Sequence, residues 1–453
     1  MAAILEGTSS PVHSAGNSTS LSENTSTTTL PEGVVLASQE IQAKYERPNI
    51  NLGLLAGGTE NWEDVNATDV DRYGFIIKQS PPPLGLRQPS ADGSSSLLHL
   101  HFLLRPRNMK VRAPAIIDYS SQLEPRHESM REVKWREMAV RRINEKTGVV
   151  TYHFEKTLKL VERTFKGIPD AWRASAWRSF LTSSARKKKN YVPDRDLEAL
   201  YPKYVAEPSL HDTQIDLDVP RTISSHVMFS ARYRGGQRLL FRVLHAFSLH
   251  MSDMGYVQGM APLAANLLCY YDEITCFIML IRIFTTRRLE ELYAHGFNGL
   301  MDAFEDLRVA LHRRKIGQTL EAMKIEPTLY ATKWYLTLFS YSVPFSTQLR
   351  IWDVFFLLGD DGLGVIHAAA LTLLDSMRNT LVTADFETAM QQLTRFVEVK
   401  NPDLFMEVLE YEYNFLRSRK MQRALSRKAS RANTGLLSSS SSSSPPRRNE
   451  KKA

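Results

Sequence analysis

Apolar side chains recur with a helical period through most of the second half of the chain. One run follows Gly235-Gly236, and its members fall on one side of a helix. The residues that share this face are Leu239, Leu240, Val243, Leu244, Phe247 and Met251. This spacing predicts an amphipathic helix that begins at the two glycines and buries one face.

Prolines mark where two further helices are expected to begin. Pro262 suits the first turn of a helix, which Gln258 and Gly259 would introduce. We expect Pro327 to open another helix, whose apolar members are Leu329, Trp334, Leu338 and Phe339. From Thr157 onward the alternation typical of strands is absent. The sequence therefore predicts an all-α fold, a domain of many short helices.

The N-terminal third of the chain has a different composition. Residues 1–70 are rich in Ser, Thr, Asn and Gly and contain no Lys or Arg before Lys44, which predicts a disordered segment. Residues 71–159 are expected to form an N-terminal extension with a surface helix near 129–144. Within it, residues 97–104 fit a short strand and a short helix equally well.

The charge of the chain is concentrated at its C-terminal end. Residues 417–453 contain eleven Lys or Arg and one Glu, a balance of +10, so the total of +8 leaves about −2 for the rest. A nearly neutral main domain, expected over residues 160–416, argues against binding of nucleic acid. The tail also contains a serine run, Ser438 to Ser444, which predicts a flexible segment.

The basic tail also suggests a membrane hypothesis. Its Lys and Arg residues could hold an anionic membrane surface at about 1 kcal/mol per well-placed charge. Phosphorylation of the serine run would then release the chain from that surface.

The cysteines and the apolar runs indicate a reduced, cytoplasmic protein. The 2 cysteines, Cys269 and Cys276, are expected on one side of a helix as core thiols, too far apart for a Cys-x-x-Cys pair. The N-terminus lacks the features of a secretory signal. Polar residues interrupt the apolar stretch from Leu263 to Phe284, which predicts buried helices rather than a membrane span. We expect a cytoplasmic location with peripheral contact to endomembranes.

Two short stretches carry the candidate chemistry. One runs from Ile215 to Arg221 and places an aspartate, Asp218, shortly before the arginine. The other runs from Gly255 to Met260 and contains Gln258. An arginine can spread positive charge over a transferring phosphoryl group, and a glutamine can hold the attacking water in line. No Walker-type phosphate loop is present, so the chain is expected to donate these groups to another protein's nucleotide.

The pattern Ile-x-x-Asp-x-x-Arg followed by Tyr-x-Gln-Gly resembles the TBC domain of Rab GTPase-activating proteins. Gly167-Ile168-Pro169 leads into Arg173-x-x-x-Trp177, which is similar to the family's opening motif. Arg350-Ile351-Trp352-Asp353, followed by two phenylalanines, resembles its late motif. The four motifs stand in the family's order between residues 160 and 416. Residues 71–76 are also similar to a segment found upstream of the domain in some fungal members.

The resemblance implies roles for the residues around the two stretches. Arg221 would be the arginine finger and Gln258 the glutamine that replaces the GTPase's own water-positioning glutamine. Asp218 would orient Arg221, Tyr256 would pack at the interface or in the core, and Gly259 would let the backbone turn beside Gln258.

The remaining motif residues are expected to support the site rather than to react. Arg173 and Trp177 would lock helices together with Trp352 and Asp353, and Arg173 would pair with an acid. We expect Arg350 to pair with Asp353 nearby.

The implied partner is a Rab-family small GTPase, which carries both the GTP and the magnesium. The chain itself then needs no cofactor and no metal, and it would regulate vesicle traffic. No spaced run of ligands follows the turn at residues 359–362, which is therefore expected to be a surface turn rather than a calcium site. The alternative is a catalytically silent scaffold of TBC type that grips a small GTPase without stimulating it.

Overall fold

The computed structural model describes residues 30–46, 69–77, 125–143, 145 and 148–419. The helices in chain order are α1 (Glu32–Glu46), α2 (Pro125–Met138), α3 (Leu158–Phe165), α4 (Asp170–Ala185), α5 (Asp194–Ala206), α6 (Asp212–Asp218), α7 (Gly235–His250), α8 (Met260–Leu268), α9 (Glu273–Thr286), α10 (Leu289–Tyr293), α11 (Asn298–Leu311), α12 (Lys315–Ala322), α13 (Pro327–Tyr330), α14 (Thr332–Leu336), α15 (Phe345–Leu358), α16 (Gly364–Ser376), α17 (Arg378–Leu381), α18 (Phe386–Thr394) and α19 (402–419). Single 3-10 turns occupy Val219–Arg221, Val227–Phe229 and Gly359–Asp361. The all-α prediction is confirmed for the main domain.

The core of the domain lies among α4, α7, α8, α9 and α15, which pack against one another. α7 begins at the two glycines, as predicted, and buries Leu240, Val243, Leu244 and Phe247. Two tryptophans meet where α4 crosses α15, with the ring centroids of Trp177 and Trp352 5.9 Å apart. These fully buried rings fill the space between the helices and fix how they cross.

The segment predicted to be disordered contains a helix. α1 occupies residues 32–46, where Ser38, Ile41 and Tyr45 lie at helical spacing and are buried against the domain. The helix forms because this face finds partners in the main domain, which the local composition does not show. The structure also describes residues 69–77 of the region upstream of the main domain.

The surface helix expected near residues 129–144 is shorter than predicted and is followed by a hairpin. α2 ends at Met138, and strand β1 (Ala139–Ile143) pairs antiparallel with β2 (Val150–Phe154). Ala139 lies opposite Phe154, which is buried and contacts Trp135 on α2 at 5.5 Å between ring centroids. This anchoring of one end of the hairpin, together with β-branched residues in both strands, favours strand over helix here.

The single helix expected from Pro327 is broken in two. α13 and α14 are separated at Ala331, and the chain then enters left-handed conformations at Leu338 (φ 44°) and Phe339 (φ 67°). The carbonyl of Leu338 accepts a hydrogen bond from the indole Nε1 of Trp352 at 2.9 Å. This bond to α15 replaces a helical one, so a tertiary contact overrides the local pattern.

The two cysteines do not share a helix. Cys269 caps the end of α8, whereas Cys276 lies within α9, because Asp272 accepts the backbone N–H of Thr275 at 2.9 Å and starts a new helix. Both thiols are free, and burial raises the pKa of Cys269 to about 12. Among the described residues, the helices are too short or too polar to cross a membrane.

The last described helix extends beyond residue 416, the predicted end of the domain. α19 continues through residue 416 to residue 419. The predicted tail beyond that point, with its serine run, lies outside the described residues, and so do residues 97–104.

Candidate functional site

The candidate arginine stands at the end of a short helical segment. α6 runs directly into the 3-10 turn Val219–Arg221, in which Pro220 occupies a first-turn position. Ile215 and Val219 are fully buried and anchor the segment in the core. The side chain of Arg221 remains 41% exposed. The sequence thus fixes the backbone beneath an arginine whose head group stays accessible.

Asp218 holds this arginine and joins it to the second motif. Its carboxylate is 4% exposed, and Oδ1 accepts a hydrogen bond from the guanidinium of Arg221. The other oxygen, Oδ2, accepts the hydroxyl of Tyr256 at 2.6 Å. One buried carboxylate therefore contacts both candidate motifs and orients the arginine from one side.

Gln258 is exposed and lies on a loop that two left-handed glycines shape. Gly255 has φ 67°, and a Cβ there would collide with the ring of His211. Gly259 has φ 109° and caps the start of α8. Between them, the bond from Tyr256 to Asp218 ties the loop to the arginine segment. Gln258 is therefore presented to solvent beside a fixed anchor.

Tyr256 is the donor in this anchor. Burial raises the pKa of its phenol well above the ordinary value, and the negative charge of Asp218 raises it further. The phenol therefore keeps its proton at any physiological pH and donates to the carboxylate. The tyrosine packs in the core, one of the two places the sequence allowed for it.

The structure also brings α1 onto the arginine segment, which sequence reasoning missed. The hydroxyl of Ser38 donates to Oδ2 of Asp212 at 2.6 Å, and the hydroxyl of Tyr45 donates to Oδ1 of Asp216 at 2.8 Å. Both aspartates belong to α6. The spacing of Ser38, Ile41 and Tyr45 was the one signal in the sequence that could have indicated a buried face.

The upstream residues 69–77 contact the segment that follows Arg221 in the chain. The N–H of Ile76 donates to the carbonyl of Ser225 at 2.8 Å, and the N–H of Val227 donates to the carbonyl of Gly74 at 2.9 Å. The ring of Phe75 lies 5.0 Å from that of Phe345. This short backbone pairing braces the residues that follow the arginine.

The other motif residues form a separate, buried cluster around Asp353. This carboxylate is 0% exposed and accepts Nε of Arg173 at 3.1 Å and the indole Nε1 of Trp177 at 2.8 Å. The backbone N–H of Ile168 donates to its second oxygen at 3.1 Å. The prediction that Arg173 pairs with an acid is confirmed, and a further contact joins it to Asp170. The cluster ties the start of α4 to α15.

Arg350 does not pair with Asp353 as expected. Its guanidinium donates instead to Asp403 at 2.6 Å and to the carbonyl of Phe165 at 3.1 Å. The oxygens of Asp353 are already occupied by donors from Arg173, Trp177 and Ile168, so they leave no place for a second arginine.

The turn that begins at Gly359 is a structural ion-pair site. Asp360 accepts the fully buried guanidinium of Arg287 at 2.6 Å and the hydroxyl of Ser184 at 2.5 Å. Burial raises the pKa of Asp360, but the charge of Arg287, the hydrogen bond from Ser184 and the charges of Lys156 and Lys187 together outweigh this, so that the pKa lies below its ordinary value. Within the ranges that the structure describes, no cluster of three or more His, Cys, Asp or Glu side chains could hold a metal ion.

Chemically, the site offers one half-exposed guanidinium and one exposed amide on neighbouring segments. Neither side chain is buried beyond the reach of a visiting molecule. A guanidinium that one carboxylate holds from one side keeps donors for the oxygens of an incoming anion.

Comparison with known proteins gives consistent matches. The model of the Rab-GTPase-TBC domain family matches residues 170–382. A TBC domain-containing protein of Schizosaccharomyces pombe is 37% identical over 391 residues, which cover 85% of this chain and 90% of that protein. Carabin of Mus musculus is 32% identical over 331 residues, 70% of this chain and 60% of its own length.

Two solved structures share the fold. The TBC domain of a Chlamydomonas flagellar RabGAP aligns with a TM-score of 0.52 at 22% identity, covering 75% of this chain and 99% of that one. The Ypt/Rab-GAP domain of Gyp1p aligns with a TM-score of 0.51 at 16% identity, covering 64% and 99%. At these identities the likeness shows the arrangement of helices.

Proposed function

The chain belongs to the Rab-GTPase-TBC domain family, and from this premise we propose that it is a GTPase-activating protein for a Rab-family small GTPase. The two structural relatives are both Rab-GAP domains, which supports this assignment. The reaction is hydrolysis of the GTP that the partner GTPase carries together with magnesium. This chain supplies side chains and needs no cofactor of its own.

In the proposed mechanism, Arg221 acts as an arginine finger. Its guanidinium would enter the partner's nucleotide site and neutralise charge that develops on the γ-phosphate and the β–γ bridging oxygen. The observation that carries this role is the half-exposed guanidinium held from one side by the buried Asp218. Asp218 orients the finger before the partner arrives, so less rotamer freedom is lost on binding.

Gln258 would act as the second finger. Its amide can accept from the attacking water and donate to the γ-phosphate, which places the water in line. Its exposure, and the glycine-shaped loop tied to Asp218 through Tyr256, support this role. No covalent intermediate is required.

Single-turnover GTP hydrolysis by a panel of activated Rabs tests the mechanism. We expect Arg221→Lys to lose most of the stimulation, because lysine cannot reproduce the forked donors, and Gln258→Ala to lose a large part of it. Arg308→Lys is the matched control, since Arg308 also pairs with an acid three residues away, Glu305, at an exposed position. If Arg221→Lys matches the wild type on every activated Rab, the mechanism is wrong.

The same panel separates the activator from a scaffold. A scaffold of this family would bind an activated Rab and leave its hydrolysis rate unchanged. Equal binding by the wild type, Arg221→Lys and Gln258→Ala without acceleration on any Rab would favour the scaffold.

We also propose that the protein works in vesicle traffic at the cytoplasmic face of endomembranes, where its basic tail contacts anionic lipid. The support is the concentration of eleven Lys or Arg in residues 417–453. Because α19 runs to residue 419, the deletion that tests this should begin at residue 420. We expect the shortened chain to lose sedimentation with phosphatidylserine liposomes, and equal sedimentation of both chains would end the idea.

A further inference from the structure

α1 lies outside the region that the family model matches, yet it contacts the helix that leads to Arg221. The matched residues begin at 170, whereas α1 spans Glu32–Glu46. α6 has seven residues, Asp212–Asp218, and a helix of this length has little stability of its own in water. The position of α6, and with it the direction of Arg221, must therefore come from its neighbours.

The first contact is at the start of α6. Asp212 is 1% exposed, and its two carboxylate oxygens accept from different helices. Oδ2 accepts the hydroxyl of Ser38 at 2.6 Å, and Oδ1 lies 2.6 Å from Nδ1 of His245 on α7. Ser38 also accepts the backbone N–H of Ser209 at 3.1 Å, just before α6 begins. α1 thus fixes the N-terminal end of the arginine segment.

The second contact is one helical turn further on. Oδ1 of Asp216 accepts the hydroxyl of Tyr45 at 2.8 Å and the guanidinium of Arg232 at 2.8 Å. The ring of Tyr45 is stacked on Phe241, with 4.1 Å between centroids, so α7 holds the tyrosine in place. Burial, followed by the hydrogen bond to Asp216, raises the pKa of Tyr45 above its ordinary value, which keeps the hydroxyl a donor.

We propose that α1 is a positioning element for the arginine finger, and that Ser38 and Tyr45 are its positioning residues. Together they hold α6 at Asp212 and Asp216, so that the next turn presents Arg221 in one direction. This inference rests on the proposed function, and it adds a segment far upstream of the matched domain to the machinery of that site. Neither residue touches the partner's nucleotide; both act through Arg221.

The test uses the full chain with Ser38→Ala, Tyr45→Phe and the double variant. Each single change removes one hydroxyl, and Tyr45→Phe keeps the ring on Phe241, so the fold is expected to survive. The first measurement is the single-turnover rate at saturating protein and the concentration that gives half of that rate. For the double variant we expect a rate about fivefold to tenfold lower, with the half-saturating concentration changed by less than about twofold.

The second measurement compares two partner complexes. One contains a non-hydrolysable GTP analogue, and the other contains GDP with aluminium fluoride, which mimics the transferring phosphoryl group. A positioning role lowers the affinity for the second complex about fivefold to tenfold and leaves the affinity for the first unchanged. In an Arg221→Ala background the α1 variants should have no further effect on the second affinity, because they act through the arginine.

Tyr201→Phe is the matched control. Tyr201 is also buried, with 3% exposed against 1% for Tyr45, and donates its hydroxyl to Glu273 at 2.7 Å, in a contact between α5 and α9. Its loss should lower the melting temperature about as much as Tyr45→Phe does, and leave both kinetic measurements unchanged.

The outcomes separate the two proposals. An unchanged rate and unchanged affinities in the double variant, while Arg221→Ala abolishes stimulation, would overturn the role of α1 and leave the finger intact. The same losses in Tyr201→Phe as in the α1 variants would also overturn it, since the effect would then be general destabilisation. If Arg221→Ala itself stimulates like the wild type, the proposed function fails first.

Discussion

Two arginine–aspartate pairs in this molecule have the same chemistry and opposite surroundings. In the pair of Arg173 and Asp353 both side chains are buried, with 6% and 0% exposed. In the pair of Arg221 and Asp218 the carboxylate is buried, with 4% exposed, whereas the arginine is 41% exposed. Each aspartate also accepts a second donor from another motif, Trp177 in the first pair and Tyr256 in the second.

The surroundings of the two guanidinium groups separate a structural arginine from one that a ligand can reach. The guanidinium of Arg173 also donates to the carbonyl of Ile168 at 2.9 Å. Burial lowers the pKa of Arg173, but the interactions with Asp353, Tyr270 and Asp170 together outweigh burial and raise it above its ordinary value. Its donors face the core, where they can meet no ligand. Arg221 is held by the carboxylate of Asp218, and its side chain is 41% exposed, so a ligand can reach it. A buried aspartate that holds an exposed arginine thus orients the guanidinium toward a ligand and contributes less to the stability of the fold.

Removal of the exposed arginine, Arg221, is expected to have the largest effect and tests the difference between the two pairs most directly. Arg221→Ala should reduce the stimulation of GTP hydrolysis about 10³-fold to 10⁵-fold, roughly 4–7 kcal/mol of activation free energy. Arg221→Ala leaves the buried carboxylate of Asp218 with the hydroxyl of Tyr256 and the amide of Gln214 as donors, so the free energy of unfolding should fall by about 1–3 kcal/mol. Single-turnover kinetics and urea denaturation of the same variant measure the two quantities.

The control for this prediction lies in the same sample. A loss of unfolding free energy in Arg221→Ala as large as the loss in Arg173→Ala, together with the loss of stimulation, would show that Arg221 acts as a structural residue like Arg173. The comparison between the two pairs would then fail.

The second prediction removes the buried arginine. Arg173→Ala leaves the carboxylate of Asp353 without its ion-pair partner in the core, which should cost about 3–5 kcal/mol of unfolding free energy. Urea denaturation measures it, with Arg308→Ala as the control, because Arg308 and Glu305 form an exposed pair. That control should change the unfolding free energy by about 0.5 kcal/mol or less. Equal losses in the two variants would contradict the structural role of Arg173.

The sequence was sufficient to predict the helical class and the motif residues. The period from Leu239 onward identified α7, and the resemblance of the motif around Arg173 to the family's opening motif correctly implied an acidic partner. Both signals are local: one is a repeat along a single helix, and the other is a group of residue types in a fixed order. The roles of Arg221 and Gln258 stay predictions, which the kinetic experiments above test.

What the sequence could not show depends on contacts between distant segments. The bond from Tyr45 to Asp216 spans 171 positions, and the composition around α1 favours disorder. The predicted pairing of Arg350 with Asp353 was wrong. Asp353 is nearer along the chain, but Asp403 is the carboxylate that accepts from Arg350 in the folded structure. The left-handed turn at Leu338, where the expected helix would have continued, likewise coincides with a bond to α15.

A third prediction weakens the link between the two motifs. Tyr256→Phe removes the hydroxyl donor to Oδ2 of Asp218 and leaves the ring in the core. A hydrogen bond to a charged group contributes about 1.5–3 kcal/mol, so the unfolding free energy should fall by that order. Stimulation should fall about tenfold, because the loop that carries Gln258 loses its tie to Arg221. Rates close to the wild type, alongside lower stability, would show that the link acts only on stability.

The smallest effect concerns pH and the upstream residues that brace the chain after Arg221. His226 is 6% exposed; its Nδ1 accepts the N–H of Met228 at 3.1 Å, so its Nε2 carries the proton and donates to the carbonyl of Tyr73 at 2.7 Å. Burial lowers the pKa of His226 below its ordinary value, although the carbonyl of Tyr73 and the charge of Asp71 oppose the shift. Protonation of His226 at Nδ1 therefore breaks the hydrogen bond from the N–H of Met228, because a protonated nitrogen cannot accept.

The sign of the pH dependence follows from that shift. The folded pKa lies below the unfolded one of about 6.5, so the unfolded chain binds the proton first as the pH falls. The contribution of His226 to stability is complete above that pH and is lost as the pH falls through the folded pKa.

We expect His226→Gln to remove about 1 kcal/mol of the decline in unfolding free energy between pH 7.5 and pH 5, the size of one neutral hydrogen bond. The side chain of His312 is 64% exposed, so His312→Gln controls for a general effect of losing a histidine. If the wild type and His226→Gln decline in parallel, protonation of this ring is not what loosens the upstream segment.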